Sequence, residues 1–342
     1  MQPPTPRGPV SGALTHALVQ SPTTLPSDLH DVVAALPAGP AAAHSAIDDD
    51  DLQLSLLLCY ELHYRGFTGV DDRWVGEPSL LDVRRQLERR LEAGLRALVP
   101  APEPVPPADL PRALATLVEA DDGPSLAGYL QRHATIAQFR EFVMHRSVYH
   151  LKEADPHTWA VPRLSGRTKA ALVEIQADEY GGGRPGRMHA ELFARTMRAL
   201  DLDDSYGAYV DAVPAATLAI TTTMSLFGLH RRWRGALLGH LAALEMTSSL
   251  PNRRYGNALR RLGYGRDATW FYDEHVEADA VHEQVAAHDM CGSFAAAHPE
   301  LTGDVLFGAA CCLALDGRVA AHLIEHWDHG RSSLRMVQTR AA

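Results

Sequence analysis

The sequence predicts an all-α fold. Apolar residues recur at intervals of three and four over most of the chain, sustained alternation is scarce, and Gly and Pro fall as breaks between the periodic runs. Helices that each hide one face pack as a bundle. Residues 1–45 are rich in Pro, Ala, Ser and Thr; they are expected to form a largely mobile leader with one short helix near Ser27–Leu36. From Asp48 an acidic start suits a helix amino end, and that helix closes near Gly66. A second run places Leu80, Leu81, Val83, Leu87, Leu91, Leu95 and Leu98 on one broad stripe. The Pro-rich stretch PAPEPVPPADLP then predicts a boundary. On this reading residues 46–121 form an N-terminal helical segment for packing or dimerisation, 122–330 the core and 331–342 a tail. Beyond the Pro-rich stretch, helices are predicted near 112–120, 124–153, 165–180, 185–200, 213–229, 231–248, 251–263, 267–291 and 299–328. Breaks are expected at Asp155-Pro156, Gly181–Gly183, Asp201–Asp204 and Leu250-Pro251.

A chain of 342 residues, 46% hydrophobic, can bury one large core or two ordinary ones. This excludes a disulfide-stapled miniprotein, a collagen-like fibre and a wholly disordered chain. No apolar run approaches the roughly 18–20 residues that span a bilayer; Ala215–Leu229 comes closest and is interrupted by Thr and Ser. The first residues lack the basic-then-apolar order of a secretory signal. Cys59, Cys291, Cys311 and Cys312 match no zinc spacing and are expected as reduced thiols of a cytoplasmic protein. A net charge of −10 argues against a general nucleic-acid binder. The five Arg between Arg253 and Arg266 are expected on a solvated helix face.

The composition is unusual in its 18 His beside 42 acidic residues. In YDEHVEADAVHEQ, His275, Asp279 and His282 stand at i, i+4 and i+7, on one helix face. Imidazoles with a carboxylate suit iron, manganese or zinc, and Asp279-x-x-His282 has a spacing used in metal-binding bundles. The same stripe also fits an exposed, charge-rich helix, although Trp270, Phe271, Val276 and Val281 border it. In VEIQADEYGGGRPGRMHAELF three Gly interrupt a helix after Asp178-Glu179, and His189 follows in the next first turn. Such a break can aim Glu179 and His189 into one cavity; it also fits a plain turn between surface helices. Glu245 in LAALEM and Glu153 in YHLKEADP stand in largely apolar or small-residue surroundings and say little alone. Two further groups match metal spacing: His322, Glu325, His326 and His329, and Glu141, His145 and His150. The first is expected at a solvated helix end. No Gly-x-Ser-x-Gly, Walker or dinucleotide pattern occurs, and His-Glu at 282–283 lacks the second His of a zinc protease.

The runs KEADPHTWAVPRL, EIQADEYGGGRPGRMHAELF, GHLAALEMTSS and FYDEHVEADAVHEQ together resemble the heme-oxygenase-like diiron oxidases and oxygenases, often labelled iron-containing redox enzymes. The likeness spans roughly 48–330. It is strongest to N-oxygenating members such as the diiron domain of the enzyme that builds the N-nitrosourea of streptozotocin. That enzyme's additional cupin domain has no counterpart in this sequence, so a cupin-type rearrangement is not expected. The resemblance implies a heme-oxygenase-like helical core holding two Fe(II), with O2 as cosubstrate and no heme. It further implies Glu153, Glu179, His189, Glu245, His275, Asp279 and His282 as ligands. In that scheme Glu179 bridges, with Glu153, His189 and His282 around one iron and Glu245, His275 and Asp279 around the other. It implies oxygenation of an amine or guanidine nitrogen, or oxidation of an amino-acid-like small molecule, in biosynthesis. An external electron donor and a homodimer are expected, with no nucleic-acid or membrane partner. The open alternatives are a heme-degrading or thiaminase-like enzyme of the same architecture and a non-catalytic iron-binding bundle.

Overall fold

The computed structural model describes residues 1–37 and 39–336, apart from the side chains of Asp28 and of residues 277–281. In chain order its α-helices are α1 Pro9–Leu18, α2 Ser27–Ala34, α3 Pro40–Ser45, α4 Asp50–Glu61, α5 Pro78–Leu98, α6 Leu110–Glu119, α7 Leu126–Arg132 and α8 Ile136–His150. They continue as α9 Asp155–Thr158, α10 Gly166–Glu179, α11 His189–Ala199, α12 Ala215–Leu229, α13 Arg234–Arg261, α14 Arg266–Gln284, α15 Ser293–Ala297 and α16 Thr302–Asp328. No strand occurs among the described residues, as the apolar periodicity predicts.

The N-terminal region departs from expectation. Instead of a leader without packing, residues 1–45 contribute three helices, and Val10, Leu14, Leu18, Leu29 and Val33 are buried. Val10, Leu14 and Leu18 repeat every four residues, a seam too narrow to stand out among Pro, Ala and Ser. The segment is also tied by polar contacts: the Met1 ammonium donates to the Gly66 carbonyl (3.2 Å), and Arg7 pairs with Asp50 (2.7 Å). Nor does the Pro-rich stretch divide the core. One continuous buried cluster joins Leu14, Leu56 and Leu114 to Leu226, Leu238 and Leu315.

Two helix boundaries also differ. The run predicted over 124–153 divides into α7 and α8, because Thr135 starts a new helix with a reciprocal cap. Its Oγ1 accepts from the Gln138 amide (3.3 Å) while Gln138 Oε1 accepts from the Thr135 amide (2.8 Å). Conversely, α13 runs through Pro251, where a break is expected. Interior proline costs a helix roughly 3 kcal/mol, and packing on both sides outweighs it. Before the proline, Gly239 lies so close to α16 that a Cβ there would stand 1.8 Å from the Val305 carbonyl oxygen. Beyond it, Tyr255 packs on Tyr272 of α14 with ring centroids 5.6 Å apart. Residues Pro299–Asp328, around α16, are long and apolar enough to cross a membrane by length and composition, contrary to the sequence expectation; half of the apolar window is buried in the bundle. Finally, α14 gives way to a π-helical stretch, Val285–Gly292, three residues after His282.

Candidate metal centre

Local backbone features aim Glu153 and Glu179 inward. Glu153 lies just beyond α8 and precedes Ala154, which adopts a left-handed conformation (φ 72°). A non-glycine residue held there costs on the order of 1–2 kcal/mol. The turn is held by Gln176 Nε2, which donates to the Ala154 carbonyl (2.9 Å), and by the His157 and Thr158 amides. Glu179 is the last residue of α10. Gly181, Gly182 and Gly183 follow with φ of 66°, 59° and 75°, conformations that glycine adopts without strain. A Cβ on Gly181 would stand 2.5 Å from the Arg187 carbonyl carbon. The chain thereby reverses, and His189 opens α11 with Nδ1 3.0 Å from Glu179 Oε2. Glu245 projects from α13, while His275 and His282 project from α14.

The result is two groups of potential ligand atoms sharing Glu179. Glu153, Glu179, His189 and His275 form one; Glu179, Glu245 and His282 form the other. Within each group the ligand atoms lie within 4.8 Å of one another. All six residues are at most 9% exposed. The side chain of Asp279 lies outside the described residues. The two α14 histidines fall opposite to the expected arrangement: His275 joins Glu153 and His189, and His282 joins Glu245. Seven residues of helix separate them by about 10 Å. His275 therefore reaches the end of α8, where its ring centroid is 4.3 Å from that of His189. His282 lies two turns farther on, with Nδ1 3.4 Å from Glu245 Oε2.

Hydrogen bonding fixes how the imidazoles present themselves. His275 Nδ1 donates to the Phe271 carbonyl (2.8 Å), leaving the Nε2 lone pair toward Glu153, 3.8 Å away. His282 Nε2 contacts Asp178 Oδ2 at 2.9 Å. His150 Nδ1 donates to Glu153 Oε1 (2.7 Å). Burial raises Glu153 to about 8 and also raises Glu245. Burial acts against charge on Glu179 too, but His189, His275 and His282 outweigh it and hold Glu179 low. Burial and neighbouring His189 push His275 down, favouring its neutral form. At His282 burial opposes protonation, yet Glu245 and Asp178 prevail and lift it to about 9.

This donor set fits a metal. Three buried carboxylates face one another, and Glu153 Oε2 has no hydrogen-bond partner among the described residues. Carboxylates are not kept in such surroundings without compensating positive charge. A cation between them and the imidazoles supplies it, and mixed carboxylate and imidazole donors suit iron.

A cavity of about 90 Å³ opens beside Glu153, Glu179, Glu245 and His275. It also exposes residues that sequence spacing does not single out: Arg146 and Asp316, and the buried imidazole pair His157–His240 (Nε2 to Nδ1, 3.3 Å). Asp178 is signalled only by its closeness in sequence to Glu179, and His150, grouped by spacing with Glu141 and His145, instead joins Glu153 at the centre. His145 and His322, from the two other histidine groups, make structural contacts instead. His145 bonds Thr217 (2.7 Å) and Ser333 (3.2 Å), and His322 contacts the Ser333 carbonyl (2.8 Å). Within the Arg patch, Arg260 clasps Asp273, and Arg261 donates to the Leu130, Gln131 and Ala134 carbonyls.

An all-α bundle enclosing buried carboxylates and imidazoles beside a cavity defines a helical metal-dependent class of protein. Within it, this chain belongs to the iron-containing redox enzymes of heme-oxygenase-like fold: that family's model matches residues 140–317, which include every ligand candidate from Glu153 to His282. No curated protein matches the chain.

Proposed function

We propose that this protein is an O2-dependent non-heme diiron oxidase or oxygenase acting on a small molecule, with oxygenation of an amine or guanidine nitrogen favoured. The supporting observation is the pair of ligand groups sharing Glu179. Glu153, His189 and His275 would hold one iron, Glu245 and His282 the other, and Glu179 would bridge; Asp279 is a further candidate on α14. When bound, two ferrous ions would supply the electrons that reduce O2.

The remaining work falls to the chain. His150 fixes the Glu153 carboxylate, and Asp178 orients the His282 ring. Met224, Leu241, Leu244 and Leu315 line the cavity and limit water at the reacting centre. Oxygen uptake by ferrous-loaded protein offered amine and guanidine substrates tests the reading. His282→Ala should abolish substrate-dependent uptake while helix content, followed by circular dichroism, is retained. Normal turnover by that variant, or a Soret band from tightly bound heme, would contradict the proposal.

A further inference from the structure

The cavity is electrically divided. At its inner end stand Glu153, Glu179, Glu245 and His275. Much of its wall is apolar, with Ile220, Met224, Leu241, Leu244 and Leu315 beside the His157–His240 pair. Among its described lining residues Arg146 is the only Lys or Arg, and Asp316 is the only carboxylate outside the two ligand groups. These two residues meet, with Arg146 Nη2 2.6 Å from Asp316 Oδ1. The Arg146 side chain is 17% exposed and that of Asp316 46%, so the pair lies at the solvent end. Arg146 stands on α8 one turn before its last residue, His150, whose Nδ1 donates to Glu153 Oε1 (2.7 Å), so the same helix end links the pair to the ligand cluster.

We propose that Arg146 and Asp316 form a head-group subsite for an α-amino acid. The guanidinium fork receives the α-carboxylate and Asp316 the α-ammonium, while the side chain runs along the apolar wall toward Glu153. A planar fork matches a carboxylate in two parallel hydrogen bonds. A zwitterion compensates both members of the pair, whereas a simple amine or fatty acid leaves one without its new partner. The inference rests on the proposed oxidative chemistry only for the reaction at the inner end.

The test is calorimetric binding to the anaerobic ferrous-loaded protein. L-Arginine, L-lysine, L-tyrosine and L-leucine are each compared with the decarboxylated amine, and dodecanoate is added as a carboxylate without an ammonium. At least one amino acid should bind about tenfold or more tightly than its amine and than dodecanoate. Arg146→Gln should weaken the amino acid about tenfold or more and erase its preference over the amine. Equal binding of amino acid and amine, no binding of any amino acid, or equal weakening of all ligands by Arg146→Gln would overturn the subsite. If that variant does not fold, the wild-type series decides alone. Iron content measured in the same samples separates the two proposals: a preference for the amino acid without iron refutes only the metal assignment, and two irons without the preference refutes only the subsite.

Discussion

Two histidine-rich regions of this molecule look alike in sequence and differ in kind. Near the C-terminus, Glu141 accepts from Trp327 Nε1 (2.8 Å), the Ser333 amide (2.8 Å) and the Ser333 hydroxyl (2.7 Å). His145 has Thr217 and Ser333 as partners. Glu141 Oε2 and the Ser333 carbonyl both meet donors, so the cluster fastens the chain end to α8 and α16. At the centre, carboxylates face other carboxylates and imidazole lone pairs, and Glu153 Oε2 meets no donor among the described residues. The balance of donors and acceptors, more than the density of histidine, separates a metal centre from a structural tie.

Substitutions can break this contrast. The largest effect is expected for Glu179→Ala, which removes the residue common to both ligand groups. Iron content and oxygen uptake should fall to background, with a loss of at least about 100-fold in activity, while helix content persists. Asp178→Asn should be milder, weakening iron binding at the Glu245–His282 end by about 10–100-fold in a metal competition assay. Glu141→Ala should leave iron content unchanged. It should cost about 1–3 kcal/mol in a denaturant titration because the donors on Trp327 and Ser333 lose their acceptor.

The subtlest expected difference lies in pH dependence. Burial and neighbouring His322 depress His145 to about 3 in the folded chain. Its ordinary value near 6.5 in the unfolded chain means that stability is present above about 6.5 and lost as pH falls from there toward 3. His282 behaves oppositely. With a folded value of about 9, its contribution is full below about 6.5 and lost as pH rises through 9. Iron-free protein should therefore weaken on both sides of neutrality in thermal melts. His145→Gln should flatten the acid limb, and His282→Gln the alkaline limb.

Much of the centre was legible because its cues are local. Helical periodicity put His275 and His282 on one face, and the three glycines after Glu179 signalled the reversal that delivers His189. The division between the two groups was not legible, since it depends on which end of α14 lies beside α8 and α11. Arg146 and Asp316 escaped detection because they stand on α8 and α16, far apart in sequence, and are brought together only by packing. The N-terminal helices were hidden by composition, and the continuity of α13 by Pro251, whose local cost is outweighed by contacts to distant helices. The Glu141–Ser333 tie was also unreadable, because spacing shows the acceptors and leaves their donors unseen.

Anaerobic titration of the metal-free protein with ferrous iron, followed by removal of loose metal and iron counting, tests the central claim most directly. Two ligand groups sharing Glu179 predict about two irons per chain, with that stoichiometry lost in Glu179→Ala and retained in Glu141→Ala. A single tightly held zinc with no capacity for iron, or iron content indifferent to Glu179, would contradict it.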